Sequence, residues 1–475
     1  MIPRFQLDEH SPTPLYRQLH DQIAQLIRRG GLPNGSRLPA TRELAIQFGL
    51  NRTTVSAAYE LLEAGGLIRG HVGRGSFVHY EGPLESAPVP TEETISFASS
   101  RPAAEHFPLA AFQQTCTEII TGPEAASILQ LGTPAGYAPL RRWLIHQSQT
   151  EACMGPGDDL IVTNGCQHAI DLLQRMAAPA GSTVLVEDPV YHGLKNVFER
   201  AGVRLASIPV TDAGIDPVRL ERAIAAEQPR LVILTPNFQN PTGATMPLAS
   251  RHEIVRIIRA ADVTLVENDI YGDLRYTGES LPTLRQLDGT GRTVLIRSFS
   301  KTAFPGLRVG WVIAPARIAS ELVDIRQWCD LHTDHLSQAI LHRFAETGRL
   351  QDHLARVRTT GRERLRAVLD ACARHLPEGS AFTRPEGGMN LWVTLPRGLD
   401  TTELLPRARR QGVTYLAGKN FSVSHYDPAT LRLSFGSLSP DRIEAGIAIL
   451  GRLFREELEQ TGYINSRFDA APALV

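Results

Sequence analysis

Residues 293–311 read TVLIRSFSKTAFPGLRVGW, in which a β-branched run leads into a turn rich in serine and glycine. The run has the composition of a strand, and the turn places Lys301 and Arg308 just beyond the carboxyl end of that strand. In open α/β sheets, ligands bind outside this end of the strands. The stretch therefore predicts a buried strand that carries an amine and a guanidinium to a ligand site.

Other short apolar runs alternate with helical patterns on both sides of this stretch. Helical spacing is found, for example, in CQHAIDLLQRMA (166–177) and SRHEIVRIIRAA (250–261). Such alternation predicts an α/β body with a mainly parallel sheet and helices on both of its faces. The strand-like runs are IVTN (161–164), TVLVED (183–188), RLASIP (204–209), LVILTP (231–236), VTLVEND (263–269), TVLIRS (293–298) and RVGWVIAP (308–315).

The rest of the chain divides around this body, which is expected to span 95–456. A long helical region is predicted from about 316 to 375, and a smaller α+β subdomain from about 381. Residues 457–475 have the composition of a loose tail. Upstream, EGPLESAPVPTEET (81–94) has the composition of a linker, which leaves residues 1–80 as a separate domain.

Charge is distributed unevenly between the two domains. The 475 residues have a formal net charge of −1, so the whole chain is not expected to be attracted to nucleic acid or to a membrane surface. Residues 1–80, however, hold nine arginines against six acids. The five cysteines are too far apart for a metal-binding pair, so no metal site is predicted. The opening MIPRFQLDEH lacks the apolar stretch of a signal peptide, and we expect a cytoplasmic protein.

The basic head has the pattern of three helices and a hairpin. Thr41 is expected to cap the second helix, and Asn51 to cap the third, RTTVSAAYELLEA (52–64). Polar residues cluster at the amino-terminal end of that third helix, where a recognition helix contacts the major groove. The hairpin LIRGHVGRGSFV (67–78) would carry Arg74 at its tip, within reach of a minor groove.

The segments GSRLPATRELA (35–45), NRTTV (51–55) and AYELLEAGGL (58–67) resemble the winged helix-turn-helix domain of GntR-family regulators. The resemblance implies that the head binds a double-stranded DNA operator. The residues assigned to DNA contact are Arg42, Arg52, Thr53, Thr54, Gly73 and Arg74.

Polar side chains follow several predicted strands of the body, and together they are the groups that pyridoxal 5′-phosphate (PLP) requires. Its aldehyde needs a lysine, its pyridine nitrogen a carboxylate, and its phosphate an arginine, hydroxyls and free backbone N–H groups. Lysine occurs only at positions 195, 301 and 419, and only Lys301 has such neighbours in sequence. The strand-end residues are Gly165, Cys166, Asn240, Asp269, Tyr271, Ser298, Ser300, Lys301 and Arg308.

The motifs NPTG (240–243), DIY (269–271), SFSKxxxPGLRxGW (298–311) and LRLSF (431–435) resemble those of fold-type I aminotransferases. Combined with the head, the whole chain resembles the MocR-type subfamily of GntR-family regulators. This resemblance implies that Lys301 forms a Schiff base with PLP, that Asp269 pairs with the pyridinium nitrogen, and that Arg432 binds the α-carboxylate of an amino acid. The other implied contacts are Asn240 and Tyr271 to the ring hydroxyl, Tyr191 to the ring face, and Gly165, Cys166, Ser298, Ser300 and Arg308 to the phosphate.

The sequence is compatible with two functions. The first is a PLP-dependent transcriptional regulator whose body senses PLP or a PLP–amino acid adduct, controlling PLP synthesis or the metabolism of amines or amino acids. The second is an active aminotransferase of the aminoadipate type that carries a regulatory head, since ENDIYGDLRY (267–276) is similar to such enzymes. The polar tip of the predicted recognition helix favours the first. The resemblance also implies a head-to-tail homodimer, which the linker permits.

Overall fold

A computed structural model describes residues 5, 7, 13–28, 31–71, 75–80, 94–289, 291–424 and 426–469, with side chains up to residue 460. The chain divides into two compact units, Met1–Thr91 and Glu92–Val475. The predicted linker over 81–94 lies outside the described residues except for Thr94. We refer to the two units as the head and the body.

The head consists of three helices followed by an antiparallel hairpin. The helices bury one stripe each, and Leu19, Ile23 and Ile27 of the first helix lie in a common core with Leu44 and Val55. The hairpin pairs Ile68 with Val78 at its base, and the three residues at its tip lie outside the described part of the chain. The elements are α1 (Leu15–Arg28), α2 (Thr41–Phe48), α3 (Arg52–Ala64), β1 (Ile68–His71) and β2 (Gly75–Val78).

The two head helices with predicted caps behave differently. The Asn51 carboxamide oxygen accepts a hydrogen bond of 3.2 Å from the Thr53 N–H, which confirms the predicted cap of α3. The prediction for Thr41 is wrong, because α2 begins at that residue and Ala40 occupies the cap position. The Glu43 carboxylate satisfies the Ala40 N–H instead, at 3.1 Å.

The body is built on an eight-stranded sheet with the order β4-β11-β10-β9-β8-β5-β6-β7. Five neighbouring strands, β10, β9, β8, β5 and β6, pair in parallel, and β11 and β7 are antiparallel to their neighbours. The predicted mainly parallel sheet is thus confirmed. The strands are β4 (Asp158–Thr163), β5 (Thr183–Asp188), β6 (Arg204–Thr211), β7 (Gly214–Ile215), β8 (Leu231–Leu234), β9 (Thr264–Asn268), β10 (Thr293–Ser298) and β11 (Gly310–Pro315).

Helices bury apolar side chains against both faces of this sheet, because its central strands are apolar on both sides. The long helical region predicted for 316–375 is present as α12 to α14. The helices of this part are α4 (Leu109–Thr121), α5 (Ala125–Ile128), α6 (Ala138–Thr150), α7 (Gly165–Ala177), α8 (His192–Arg200), α9 (Pro217–Glu227), α10 (Leu248–Ala261), α11 (Leu284–Leu287), α12 (Ala316–Cys329), α13 (His335–Glu346) and α14 (Arg349–His375).

A smaller α+β subdomain follows, as predicted. Its four-stranded antiparallel sheet has the order β12-β13-β16-β15, and a short strand near the start of the body, β3 (Ile95–Ser96), pairs in parallel with β14. The last helix continues to Asp469, past residue 457 where a loose tail was expected. The elements are β12 (Ala381–Phe382), β13 (Asn390–Thr394), α15 (Thr401–Arg410), β14 (Val413–Thr414), β15 (Leu416–Ala417), β16 (Thr430–Ser434) and α16 (Pro440–Asp469).

The parallel order brings the carboxyl ends of β4, β5, β8, β9 and β10 to one edge of the sheet. Residues that directly follow these strands can therefore meet, although up to about 140 positions separate them in sequence.

Candidate functional site

Lys301 follows β10 and lies half-buried at the carboxyl edge of the sheet. Its Nζ donates a hydrogen bond to the Ser100 carbonyl oxygen and lies 5.6 Å from the centroid of the Tyr271 ring. The amine is thus held within a group of polar side chains that follow β9 and β10, which we call the polar cleft.

A cradle for an anion lies beside this lysine. Arg308 Nη1 donates to the Ser300 hydroxyl at 3.1 Å, and the Ser298 hydroxyl lies 3.0 Å from that of Ser300. Gly165 opens α7 with a φ of +75°, and a Cβ there would come within 2.5 Å of Arg308 Nη2. The positive φ favours glycine, and a Cβ at this position would push the guanidinium away. The N–H groups at the amino terminus of α7 favour anions.

Cys166, the next residue, is half-buried at the same helix terminus. Burial raises the pKa of its thiol, although the nearby charges of Lys301 and Arg308 oppose that shift. The thiol therefore stays protonated at neutral pH and can offer an anion only a weak hydrogen bond.

Asp269 follows β9 and is buried, with 4% of its surface exposed. Its Oδ1 accepts a hydrogen bond of 2.8 Å from the Asn237 side chain, and its Oδ2 lies 3.3 Å from Arg297 Nη2. Asn237 is oriented in turn by Arg251, which donates to its carboxamide oxygen at 2.6 Å. The carboxylate is therefore fixed in place by neighbours on β10 and on the loop after β8.

The Tyr271 hydroxyl is at the centre of a second polar group. It lies 2.9 Å from the Ser100 hydroxyl and 3.5 Å from the Asn240 side-chain nitrogen. Asn390 Nδ2 donates to it at 3.4 Å. Because Ser100 also accepts from Lys301, this group is directly connected to the lysine.

Arg432 on β16 reaches the same cleft from the small subdomain, with 2% of its surface exposed. Its Nη1 donates to Asn240 Oδ1 at 3.0 Å, and its guanidinium carbon lies 4.9 Å from the centroid of the Phe421 ring. Burial lowers the pKa of Arg432 to about 10, although Tyr271 and Tyr191 act in the opposite direction. Its Nε is buried with no hydrogen-bond partner among the residues described, so one donor remains for a ligand.

Tyr191 precedes α8 and lies half-buried near Cys166, Tyr271 and Arg432. Burial raises the pKa of its phenol to about 12, so the ring stays neutral. All the residues predicted for the cleft are thus brought together by the body.

The residues present fit a molecule of the PLP type. An amine, a buried carboxylate and an arginine–serine cradle at a helix terminus lie together, and a Cβ at Gly165 would come within 2.5 Å of Arg308 Nη2 in that cradle. These groups match an aldehyde, a ring nitrogen and a phosphate, respectively.

Sequence reasoning missed four polar residues that hold the predicted ones in place. They differ in the signal that could have revealed them. Asn237 stands out as a polar residue soon after an apolar strand, and Arg297 as a charged residue within a strand. Ser100 and Asn390 carry no such signal, because they are distant in sequence from every motif. The four are Ser100, Asn237, Arg297 and Asn390.

The surface predicted to contact DNA is partly described. Arg42 on α2 and Arg52 and Thr53 on α3 are exposed, and Thr54 is half-buried. The remaining two predicted contacts, Gly73 and Arg74, lie outside the described residues.

Glu187 lies at the end of β5, 1% exposed, where it accepts hydrogen bonds from the Thr235 N–H and the Gln239 side chain. Burial raises its pKa from 4.5 to about 8. Between these pH values the folded protein keeps a proton that the unfolded chain releases, so stability falls as the pH rises. The full effect is on the order of 5 kcal/mol.

We therefore expect Glu187→Gln, which is neutral at every pH, to remove most of this loss of stability. Urea unfolding at pH 5 and pH 8.5 measures the free energy of unfolding of each variant. Glu279→Gln, at an exposed position, is the control. An equal pH dependence in Glu187→Gln and the parent would show that Glu187 is not the group responsible.

The described residues hold neither a metal-binding cluster nor a membrane-spanning helix. No group of three or more His, Cys, Asp or Glu side chains is placed to hold a metal ion. No helix in the part of the chain that is described is long and apolar enough to cross a membrane.

Two family models match this chain. Residues 124–450 match the family of class I and II aminotransferases, and residues 15–78 match the bacterial regulatory proteins of the gntR family. The two matches correspond to the body and the head.

Similar proteins include both regulators and enzymes. The uncharacterized HTH-type transcriptional regulator YdfD of Bacillus subtilis is 30% identical, covering 93% of this chain and 97% of its own. The probable rhizopine catabolism regulatory protein MocR of Rhizobium meliloti is 28% identical, covering 98% and 99%. The crystal structure of LysN, an α-aminoadipate aminotransferase of Thermus thermophilus solved with N-(5′-phosphopyridoxyl)-L-leucine, has a TM-score of 0.73 at 33% identity and covers 78% of this chain and 94% of its own.

Proposed function

Because the chain belongs to the class I and II aminotransferases and carries a gntR-family domain at its head, we propose that it is a transcriptional regulator whose body binds PLP and controls operator binding by the head. The observation that supports this proposal is that one chain holds both a group of side chains that fit PLP and an exposed helix tip that bears Arg52 and Thr53. Relatives with regulator names match over nearly the whole chain, including the head.

PLP is the cofactor of this family, and when bound it supplies an aldehyde that reacts with amines and a ring that withdraws electrons. Lys301 offers the amine for covalent attachment, and Asp269 pairs with the ring nitrogen. Arg308, Ser298 and Ser300 hold the phosphate, together with the helix terminus at Gly165 and Cys166. Asn240 and Tyr271 donate to the ring hydroxyl, and Tyr191 covers the ring.

The effector that we propose is PLP itself or PLP joined to an amino acid. Arg432 supports this assignment, because its buried guanidinium retains an unpartnered Nε and is suited to a carboxylate. Genes for PLP synthesis or for amine and amino-acid metabolism are the targets that such an effector suggests. We further propose that the protein acts in the cytoplasm, where operator DNA is found, as a head-to-tail homodimer whose two heads bind two half-sites.

An active aminotransferase is the second candidate, supported by the similarity to LysN over the body. The two candidates differ in what PLP does to DNA binding. In a regulator, PLP binding to the body changes DNA binding by the head. In an enzyme with an independent head, it does not.

We expect PLP to change the operator affinity by about 5- to 150-fold, and operator DNA to change PLP affinity by the same factor, because coupling between two sites is reciprocal. The DNA probe is a double-stranded fragment that the purified full-length protein selects from a random-sequence pool. Fluorescence anisotropy with and without PLP measures the first effect, and a PLP titration with and without the fragment measures the second.

Transamination is measured on the same preparation, with a panel of L-amino acids and 2-oxoglutarate. Rapid steady-state turnover together with DNA binding that is indifferent to PLP would favour the enzyme. A double variant, Ser298→Ala with Ser300→Ala, is the matched control, since weakening the phosphate cradle should reduce the response of the head to PLP without touching the head.

A further inference from the structure

Arg297 is the one charged residue of strand β10 and lies four positions before Lys301. Its side chain is 14% exposed and points to the carboxylate of Asp269, with Nη2 at 3.3 Å from Oδ2. Nη1 lies 2.5 Å from Glu151 Oε2. One guanidinium therefore joins the carboxylate in the cleft to a carboxylate at the surface.

Arg297 remains cationic in this position. Burial acts to lower its pKa, but the negative charges of Asp269, Asp273 and Glu151 outweigh burial and raise the pKa above its usual value. Its Nε is buried with no partner among the described residues, so the arginine makes no other hydrogen bond that would divert it from these acids.

Both carboxylate oxygens of Asp269 thus already have partners within the protein. Asn237 donates to Oδ1 at 2.8 Å, and Arg297 donates to Oδ2 at 3.3 Å. An amide at Oδ1 leaves the charge of the carboxylate in place, but a guanidinium at Oδ2 neutralises part of it. A protonated ring nitrogen, which needs that negative charge, has to share it with Arg297.

We propose that Arg297 is a positioning residue that draws the charge of Asp269 away from the ring nitrogen of PLP, and so weakens both cofactor binding and the electron-withdrawing power of the ring. The inference rests on the proposed function, in that PLP binds beside Asp269. It gives a physical reason for a body that senses its cofactor more than it catalyses, because the protonated ring is the electron sink that transamination needs.

The test compares PLP with 1-deazapyridoxal 5′-phosphate, in which a carbon replaces the ring nitrogen. We expect Arg297→Met to bind PLP about tenfold more tightly, since a hydrogen bond to a charged group contributes on this scale. Its affinity for the deaza analogue should stay within about twofold of the parent value, because that ring has no nitrogen for Asp269 to hold. Arg297→Gln should behave like Arg297→Met, and it carries the test if the methionine variant does not fold.

Two further variants separate charge from packing. Arg297→Lys keeps a cation and should retain affinities close to those of the parent for both ligands. Arg349→Met removes a half-buried ion pair to Glu118 on other helices, at 3.1 Å, and should change neither affinity.

Equal changes for the two ligands would show a purely structural role and overturn the proposal. So would unchanged PLP binding, or weaker PLP binding, in Arg297→Met. If Arg297→Met binds PLP and the deaza analogue equally, Asp269 has no role at the ring nitrogen and the proposal is overturned. A parent protein that binds neither ligand would refute the proposed function as well.

Discussion

Lys301→Ala is expected to abolish covalent attachment of PLP, because Lys301 is the only lysine in the polar cleft among the residues that the structure describes. The described contacts place its Nζ against Ser100 and the ring of Tyr271, next to the arginine–serine cradle. Parent protein incubated with PLP should show a visible absorption band, and borohydride should fix one phosphopyridoxyl group on the peptide that contains Lys301. Absorbance and peptide mass spectrometry measure the two effects.

Lys195→Ala and Lys419→Ala are the matched controls, since they remove the only other lysines of the chain. Lys195 Nζ donates to the Ser422 carbonyl at 2.5 Å, and Lys419 Nζ lies 5.9 Å from the centroid of the Tyr426 ring. Both variants should keep the absorption band. A borohydride-stable label that persists in Lys301→Ala would contradict the assignment.

Arg52→Ala is expected to weaken operator binding by about 1 to 3 kcal/mol, or roughly 5- to 150-fold, if Arg52 contacts a base. The residue lies exposed at the first position of α3, directly after the Asn51 cap that fixes the end of the helix. If Arg52 binds a phosphate instead, the affinity for all sequences should fall almost equally, and the dependence on salt should become less steep. Anisotropy with the selected fragment and with unrelated DNA, at two salt concentrations, separates these results.

Arg17→Ala controls for the loss of one positive charge, because Arg17 is exposed on α1 of the same unit. Its effect should be smaller than that of Arg52→Ala. If the two variants bind the selected fragment equally, or if Arg52→Ala binds it as well as the parent does, α3 is not the recognition helix.

Much of the fold could be predicted because its signals are local. β-branched runs marked the strands of the large sheet, and period-3.6 spacing marked helices such as α7 and α10. The cap at Asn51 was predictable for the same reason, since a cap depends on residues two or three positions away. At Thr41 a local rule failed, because Glu43 reaches back to the Ala40 N–H and moves the start of α2.

The candidate site was predictable only in part. Lys301, Arg308 and the two serines lie within one motif, so their proximity follows from a single turn after β10. Asp269 and Asn240 follow neighbouring strands, and the rule that ligands bind at strand ends was enough to bring them to the same edge. The roles of these residues, the domain boundaries and the assembly remain predictions.

The sequence by itself determined which residue types stand at strand ends, how the chain divides into a basic head and an acidic body, and which lysine has the right neighbours. Only the tertiary structure decided which groups touch the predicted residues. Ser100 accepts from Lys301 across 201 positions, and Arg297 meets Asp269 because β10 and β9 lie side by side in the sheet. Periodicity and capping depend on the nearest few residues, so they can be recognised in the sequence. Contacts of this kind depend on how strands and subdomains pack, and the local sequence does not indicate which distant residue a side chain will meet.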